Sequence, residues 1–243
     1  MTVRLLLAPV LLIALAACNK PAPAPTADTP AATPAADAAP APSEPAVAAE
    51  TLAKPNLEPG KDYVEIEGGQ PLAPLDGKIE VVEVFTYWCG HCNEFEPLVR
   101  AWQSKLPADV RFTFLPMAGG PNDTLAKVYF AAETTGMLDK VHDTMFHAIH
   151  AERSLSPNAS VDQILEYLGG KGVDTKTLGS AMESFAMQAR LNQSMQFAMR
   201  SGVTGTPTLV VNGKYRILGR SQNEVLQIAN ALIAQERAAA AGK

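Results

Sequence analysis

Cysteine is scarce in this sequence of 243 residues, which contains only Cys18, Cys89 and Cys92. So few cysteines exclude the class of small secreted proteins that several disulfides hold together. A bridge between Cys89 and Cys92 would close a very short loop and would restrain the unfolded chain very little. We therefore interpret Cys89 and Cys92 as reactive groups rather than as structural staples.

Clusters of basic residues are also lacking. The chain has 20 Lys and Arg residues against 25 Asp and Glu residues, for a formal net charge of −5. Proteins that bind nucleic acids present a concentrated positive surface, so we expect no nucleic-acid partner. His142, His147 and His150 have partial metal-ligand spacing together with Asp143. We interpret them as parts of a helix face, in the core or in solvent, and expect no metal site.

A hydrophobic run occurs near the N-terminus, over residues 5–15, after the basic residue Arg4. It is too short to span a membrane, and small residues follow it, which is typical of a secretory signal peptide over residues 1–17. The run ends in Leu15-Ala16-Ala17-Cys18, which resembles the lipobox of bacterial lipoproteins and implies lipidation of Cys18. Ordinary cleavage nearby would instead leave Cys18 as a free thiol.

Large apolar side chains are few in residues 18–59, where alanine and proline dominate. Such a composition cannot offset the entropy that is lost on ordering, so this stretch is predicted to be a disordered, semi-extended tether behind a lipidated N-terminus. The folded domain is predicted over residues 60–243, which is long enough to bury a hydrophobic core of its own.

The remaining cysteines lie at a junction between a strand and a helix. The β-branched run Ile79 to Phe85 predicts a buried strand. The helix that follows has an apolar side made of Phe95, Leu98, Val99, Trp102 and Leu106. Unpaired N–H groups and the positive end of the helix dipole would therefore point at Cys89. Because the thiolate is the reactive form of cysteine and this location favours it, the sequence predicts a redox-active site.

The rest of the domain predicts a mixed sheet that a helical block interrupts. Strands are indicated at 61–67, 110–116, 208–211 and 214–218, and Asn212-Gly213 favours a tight hairpin between the last two. From about 120 to 200 the pattern is helical, and Ser221 begins a terminal helix. The predicted class is α/β.

These features together resemble a known family. Cys89-Gly90-His91-Cys92 at the start of a helix, with Gly205-Thr206-Pro207-Thr208 before a hairpin, resembles the thioredoxin fold. The helical block between the two halves resembles the DsbA family of periplasmic thiol:disulfide oxidoreductases, over roughly residues 60–240. The resemblance implies a thioredoxin-like mixed sheet with an inserted all-helical subdomain, and lipid-anchored members of that family suit Cys18.

The resemblance also assigns roles to the motif residues. Cys89 is the implied nucleophile, and Cys92 is the resolving thiol. His91 is expected to donate to the Cys89 sulfur or to place positive charge beside it, unless it is a solvated surface histidine. Gly90 departs from the proline most familiar in DsbA proteins, which implies a somewhat less oxidising couple with some capacity to reshuffle disulfides.

Four residues outside the motif complete the implied site. Glu83 matches the buried acid that assists proton transfer to the resolving thiol, with a surface glutamate on an edge strand as the alternative. Thr206 and Pro207 are expected to form a cis peptide bond that faces the disulfide, and the Thr206 backbone is expected to pair with substrate. Trp88 is expected to pack beside the site, with a buried spectator position as the alternative.

The sequence thus predicts an enzyme that introduces disulfides into exported proteins in the periplasm, through its own Cys89–Cys92 disulfide and without a cofactor. Its implied partners are folding exported proteins with thiols, a membrane reoxidant similar to DsbB, and a membrane reached through lipid on Cys18. We expect a monomer. A reductase or isomerase of the same fold is one alternative. A metal-binding lipoprotein that uses Cys89, Cys92 and a histidine as ligands is the other.

Overall fold

The structure is a computed structural model that describes residues 56–242. The predicted signal peptide, the predicted lipidation site at Cys18 and most of the predicted tether lie outside the described residues. Between residues 56 and 242, none of the helices has both the length and the hydrophobicity needed to cross a bilayer.

A five-stranded mixed sheet forms the centre of the domain. Its strands are β1 (Tyr63–Glu65), β2 (Ile79–Phe85), β3 (Val110–Pro116), β4 (Thr208–Val211) and β5 (Tyr215–Ile217). In space the order is β1-β5-β4-β2-β3, with β2 parallel to β3 and all other neighbours antiparallel. The predicted mixed sheet is confirmed. β1 is shorter than the predicted strand because it pairs with β5 at only three positions.

The central position of β2 explains its composition. It lies between β3 and β4, and all seven of its residues are buried. A strand that is covered on both faces needs a continuous apolar run rather than alternation. The two exceptions are Glu80 and Glu83. The carboxylate of Glu80 accepts from the N–H groups of Leu72 and Ala73 and pairs with Arg111 at 2.7 Å, so its burial is compensated.

Helices cover the sheet and form the insertion. They are α1 (Gly90–Gln103), α2 (Thr124–Thr134), α3 (Leu138–Phe146), α4 (Val161–Gly170), α5 (Thr175–Met182), α6 (Phe185–Arg200) and α7 (Gln222–Ala241). A π-helical turn, His147–Ala151, continues α3 without a break. Helices α2 to α6 all lie between β3 and β4 in the chain, which confirms the predicted helical insertion.

Local side chains cap the starts of two inserted helices. Asp123 accepts from the N–H of Ala126 at the start of α2. Ser160 and Gln163 form a reciprocal capping box at the start of α4, with bonds of 3.2 and 2.9 Å. Each of these bonds satisfies a helix N–H that has no partner within its own helix.

The hairpin between β4 and β5 follows the predicted turn. Asn212 and Gly213 both have positive φ, 50° and 64°, which is the conformation of a type I′ turn. A Cβ on Gly213 would lie 2.0 Å from the carbonyl oxygen of Gln70. Glycine is therefore required here by conformation and by space. The hairpin places the chain segment before β4, which contains Pro207, beside the start of α1.

Candidate active site

Cys89 occupies the N-cap position of α1. Its sulfur accepts a hydrogen bond from the backbone N–H of Cys92 at 3.3 Å, and its own N–H donates to the carbonyl of Thr86 at 3.2 Å. Both cysteines are free thiols in this structure. The N-cap position places the Cys89 sulfur against the positive end of the helix, where a negative charge is stabilised.

Cys92 lies one turn further into α1 and is completely buried. Burial raises the pKa of the Cys92 thiol strongly, although the N–H of Thr86 and the hydroxyl of Thr206 act in the opposite direction. The Cys92 thiol therefore keeps its proton at neutral pH. The two thiols therefore differ in their surroundings. Cys89 lies at the N-terminus of α1, and Cys92 is buried one turn further into the helix and is protonated.

The segment before β4 faces Cys89. The Thr206-Pro207 peptide bond is cis, and the Cys89 thiol donates to the Thr206 carbonyl oxygen at 3.2 Å. Because proline has no N–H, the backbone presents an acceptor but no donor at Pro207. An extended peptide that approached Cys89 would meet the backbone of Thr206, which has the polar groups of a strand edge.

Glu83 is buried in the middle of β2, opposite Leu209 on β4 and Phe114 on β3. None of the described groups hydrogen-bonds to its Oε2. Burial, followed by the nearby charges of Glu96 and Cys89, raises the pKa of Glu83 well above its usual range. Glu83 therefore holds a proton under conditions in which an exposed glutamate is ionised.

Sequence reasoning missed a second buried acid. Glu96 lies on α1, one turn after Cys92, and its Oε1 is 2.6 Å from Nε of Arg100 and 3.3 Å from Nε2 of His142. Burial by itself would raise the pKa of Glu96, but His142 and Arg100 outweigh it and lower this pKa. The spacing of Glu96 and Arg100 on one helix indicated their pairing, but no sequence pattern connected them with His142.

The side chain of His91 does not lie where the resemblance implied, which was beside the Cys89 sulfur. Its side chain is 81% exposed, and its Nδ1 lies 3.3 Å from Oε2 of Glu94. Its backbone carbonyl accepts from Nε2 of Gln222 on α7. The imidazole thus lies at the surface beside a carboxylate in this dithiol state, rather than against the Cys89 sulfur.

Trp88 is also exposed, with 55% of its surface accessible, so the buried spectator position is wrong. It forms one wall of an open pocket of about 600 Å³, together with residues 119–125, which include the start of α2, and with Pro157 and Asn158. A smaller groove of about 300 Å³ lies on the other side of the motif, between His91, Pro207 and the start of α7. The site is therefore open to a polypeptide on both sides of Cys89.

The three histidines of the insertion have different surroundings. His142 is fully buried among aromatic rings, His147 is exposed beside Glu152, and His150 donates from Nε2 to the backbone carbonyl of Tyr87 at 2.8 Å. Across the described part of the chain, no group of three or more His, Cys, Asp or Glu residues could hold a metal ion.

Comparison with known proteins agrees with this arrangement. The profile of the DSBA-like thioredoxin domain matches residues 80–229. The thiol:disulfide interchange protein DsbA of Pseudomonas aeruginosa is 42% identical over 185 residues, which cover 74% of this chain and 86% of that protein. DsbA of Azotobacter vinelandii is 38% identical over 195 residues, covering 79% and 90% of the two chains. The crystal structure of oxidoreductase DsbA from Xylella fastidiosa has a TM-score of 0.72 at 38% identity and covers 75% of this chain and 98% of that one. The chain belongs to the family of DSBA-like thioredoxin domains.

Proposed function

We infer that this chain is a thiol:disulfide oxidoreductase that introduces disulfide bonds by exchange with its own Cys89–Cys92 disulfide. The observation that carries this inference is the asymmetry of the two sulfurs. Cys89 caps a helix N-terminus and keeps 8% of its surface accessible, whereas Cys92, one turn further into the helix, keeps 1% and is protonated. The relatives that bear the name thiol:disulfide interchange protein DsbA support the same activity.

The exchange proceeds in two steps that move two electrons from substrate to protein. A substrate thiolate attacks the Cys89 sulfur of the disulfide, so that the bond to Cys92 breaks and Cys92 takes up a proton. A second substrate thiolate then attacks the substrate sulfur of this mixed disulfide, and Cys89 leaves as a thiolate. The helix N-terminus stabilises that leaving thiolate, which favours the reduced form of the protein and makes its disulfide a stronger oxidant.

Other residues have supporting roles in this proposal. Glu83 supplies the proton that Cys92 needs when the disulfide opens, because it is buried, protonated and electrostatically coupled to Cys89. The Thr206 backbone pairs with the substrate peptide, and Pro207 keeps donors away from the sulfurs. Trp88 contributes an aromatic wall for the substrate. His91, when protonated, adds positive charge at the same helix terminus.

The direct test is oxidation of a peptide that contains two reduced cysteines by the purified, oxidised domain. We expect one substrate disulfide to form for each Cys89–Cys92 disulfide that is consumed, as measured by thiol titration and mass spectrometry. Equilibration with glutathione should give a reduction potential above that of thioredoxin, which is about −270 mV. A potential as low as that of thioredoxin would indicate a reductase. Faster refolding of a protein with scrambled disulfides would indicate an isomerase.

We propose that the protein works in the periplasm as a lipid-anchored monomer, with newly exported proteins as substrates and a membrane protein similar to DsbB as its reoxidant. The sequence around Cys18 supports the anchor, since several acyl chains on one cysteine bind a bilayer firmly. The Ala/Pro-rich stretch that follows would let the domain reach substrates at a distance from the membrane.

Replacing Cys18 by serine is expected to release the protein from the membrane. Without the cysteine, no acyl chain can be attached, and the protein should move from the membrane pellet to the soluble periplasmic fraction. Cell fractionation and labelling with a radioactive fatty acid measure this change. Cys18→Ser should leave peptide oxidation by the purified protein unaltered. Continued membrane association of Cys18→Ser would contradict the lipid anchor.

A further inference from the structure

Tyr87 is held at both of its polar ends by histidines from the helical insertion. His150 Nε2 donates to the Tyr87 carbonyl oxygen at 2.8 Å, and His142 Nδ1 lies 3.0 Å from the Tyr87 hydroxyl. His142 belongs to α3, and His150 to the π-helical turn that continues it. We refer to His142 and His150 on Tyr87 as the histidine clamp.

The clamp acts on the turn that carries Cys89. The N–H of Cys89 bonds to the carbonyl of Thr86, so Tyr87 and Trp88 are the central residues of a four-residue turn. Because the peptide group is planar, fixing the Tyr87 carbonyl also fixes the direction of the Trp88 N–H. The side chain of Trp88 itself is largely exposed. His150 therefore bonds to the peptide group between Tyr87 and Trp88, the two residues immediately before Cys89.

His150 lies within the π-helical turn that continues α3. A π turn contains more residues than an α-helical turn and is frequently found at functional sites. Here it comprises His147–Ala151, with His147 at the surface and His150 directed at the Tyr87 carbonyl. The π-helical turn is therefore the part of the insertion through which His150 contacts the turn before Cys89.

His142 extends the contact to the helix on the other side of the motif. It is completely buried, and its Nε2 lies 3.3 Å from Oε1 of Glu96 on α1. The insertion therefore contacts the chain before Cys89 through Tyr87 and the chain after Cys92 through Glu96.

We propose that His150, assisted by His142, is a positioning residue that holds Cys89 at the N-terminus of α1 in the dithiol state. This inference rests on the proposed oxidoreductase function. In the oxidised protein the covalent bond to Cys92 fixes the Cys89 sulfur, at about 2.05 Å. In the dithiol this sulfur instead makes non-covalent contacts of 3.2 and 3.3 Å, to the Thr206 carbonyl and the Cys92 N–H. Loss of the clamp should therefore destabilise the dithiol more than the disulfide.

The test compares His150→Leu with His150→Gln, because the glutamine amide keeps an N–H donor at a similar reach and leucine does not. For His150→Leu we expect the equilibrium with glutathione to shift about fivefold toward the disulfide, the fold-change for the loss of one hydrogen bond. Alkylation of Cys89 by iodoacetamide at pH 7 should slow several-fold. His150→Gln should remain within about twofold of the wild type in both measurements. His147→Leu, on the exposed side of the same turn, is the matched control and should match the wild type.

A folded His150→Leu variant that stays within twofold of the wild type in both measurements would overturn the proposal. If this variant does not fold, as judged by circular dichroism, Tyr87→Phe tests the other end of the clamp, since it removes only the hydroxyl near His142. Slower Cys89 alkylation in Tyr87→Phe would support the clamp, and alkylation at the wild-type rate would overturn it.

Peptide oxidation by the wild-type protein separates a failure of the proposed function from a failure of the clamp. If it fails to oxidise the dithiol peptide, the proposed function is wrong. If it succeeds and the variants equal it, only the clamp is wrong.

Discussion

Replacing Cys92 by alanine is expected to stop turnover and to leave substrate proteins covalently attached to Cys89. Without Cys92 the internal disulfide cannot form, so oxidation of a dithiol peptide should fall to the uncatalysed rate. The Cys89 thiolate can still attack a disulfide of an oxidised exported protein, so that this disulfide breaks, one substrate sulfur bonds to Cys89 and the other leaves as a thiolate. The mixed disulfide then lasts longer than in the wild type, because the Cys92 thiol that would attack the Cys89 sulfur is missing. Non-reducing electrophoresis of cell extracts should show high-molecular-weight adducts, and mass spectrometry of these adducts would identify the natural substrates.

Cys89→Ala provides the matched control. It also abolishes turnover, but it should trap almost no substrate, because the Cys92 sulfur is buried and its burial raises the pKa of the remaining thiol. Both variants lose one sulfur at the same site, so a difference between them reports on accessibility and ionisation alone. Adducts on Cys92 in the Cys89→Ala variant would show that the roles of the two thiols are reversed.

Replacing Glu83 by glutamine is expected to slow catalysis and to stabilise the folded protein at neutral pH. The variant cannot supply a proton to Cys92, so peptide oxidation should fall. Cys89 alkylation should change by less than about twofold, because the protonated Glu83 is as uncharged as the glutamine that replaces it. Stopped-flow measurement of peptide oxidation, beside the alkylation rate, separates these effects. Equal oxidation rates in both proteins would assign Glu83 a structural role only.

The pH dependence of the stability follows from the direction in which the pKa of Glu83 is shifted. Burial and the charge of Glu96 raise the pKa of Glu83 above its ordinary value of 4.5. Below pH 4.5, Glu83 is protonated in the folded and unfolded states alike and has no effect on stability. Above it, the unfolded state loses the proton first, so the wild type loses up to about 1.4 kcal/mol of unfolding free energy per pH unit until the folded protein ionises as well. Glu83→Gln lacks this loss.

Urea unfolding at pH 5, 6, 7 and 8 measures this difference. The advantage of Glu83→Gln over the wild type should grow with pH, and a constant difference would contradict the raised pKa. Glu80→Gln on the same strand is a control that should change the free energy of unfolding in the opposite direction. Glu80 is equally buried but pairs with Arg111 and two backbone N–H groups, so its replacement should destabilise the fold at neutral pH.

Much of the fold could be predicted from the sequence because it depends on neighbouring residues. The apolar run of β2 and the Asn212-Gly213 turn each satisfy backbone requirements over a few positions, and the structure contains both. The cap at Asp123 and the Ser160–Gln163 capping box depend on equally short stretches of sequence. The Cys89-Gly90-His91-Cys92 motif at the start of a helix belongs to the same class of local information. These elements were sufficient to indicate the family and the central chemistry.

Only the tertiary structure decided which distant side chains surround the two sulfurs. His142 and His150 meet Tyr87 across 55 and 63 residues of sequence, and Glu96 reaches His142 only because α3 packs on α1. The exposure of Trp88 likewise depends on how the chain packs around it. A sequence pattern records the preferences of adjacent residues, whereas these contacts exist only once the insertion has closed over the sheet and buried its aromatic side chains. The sequence by itself therefore determined the reactive motif and its helix, and packing determined the charges and hydrogen bonds that hold it.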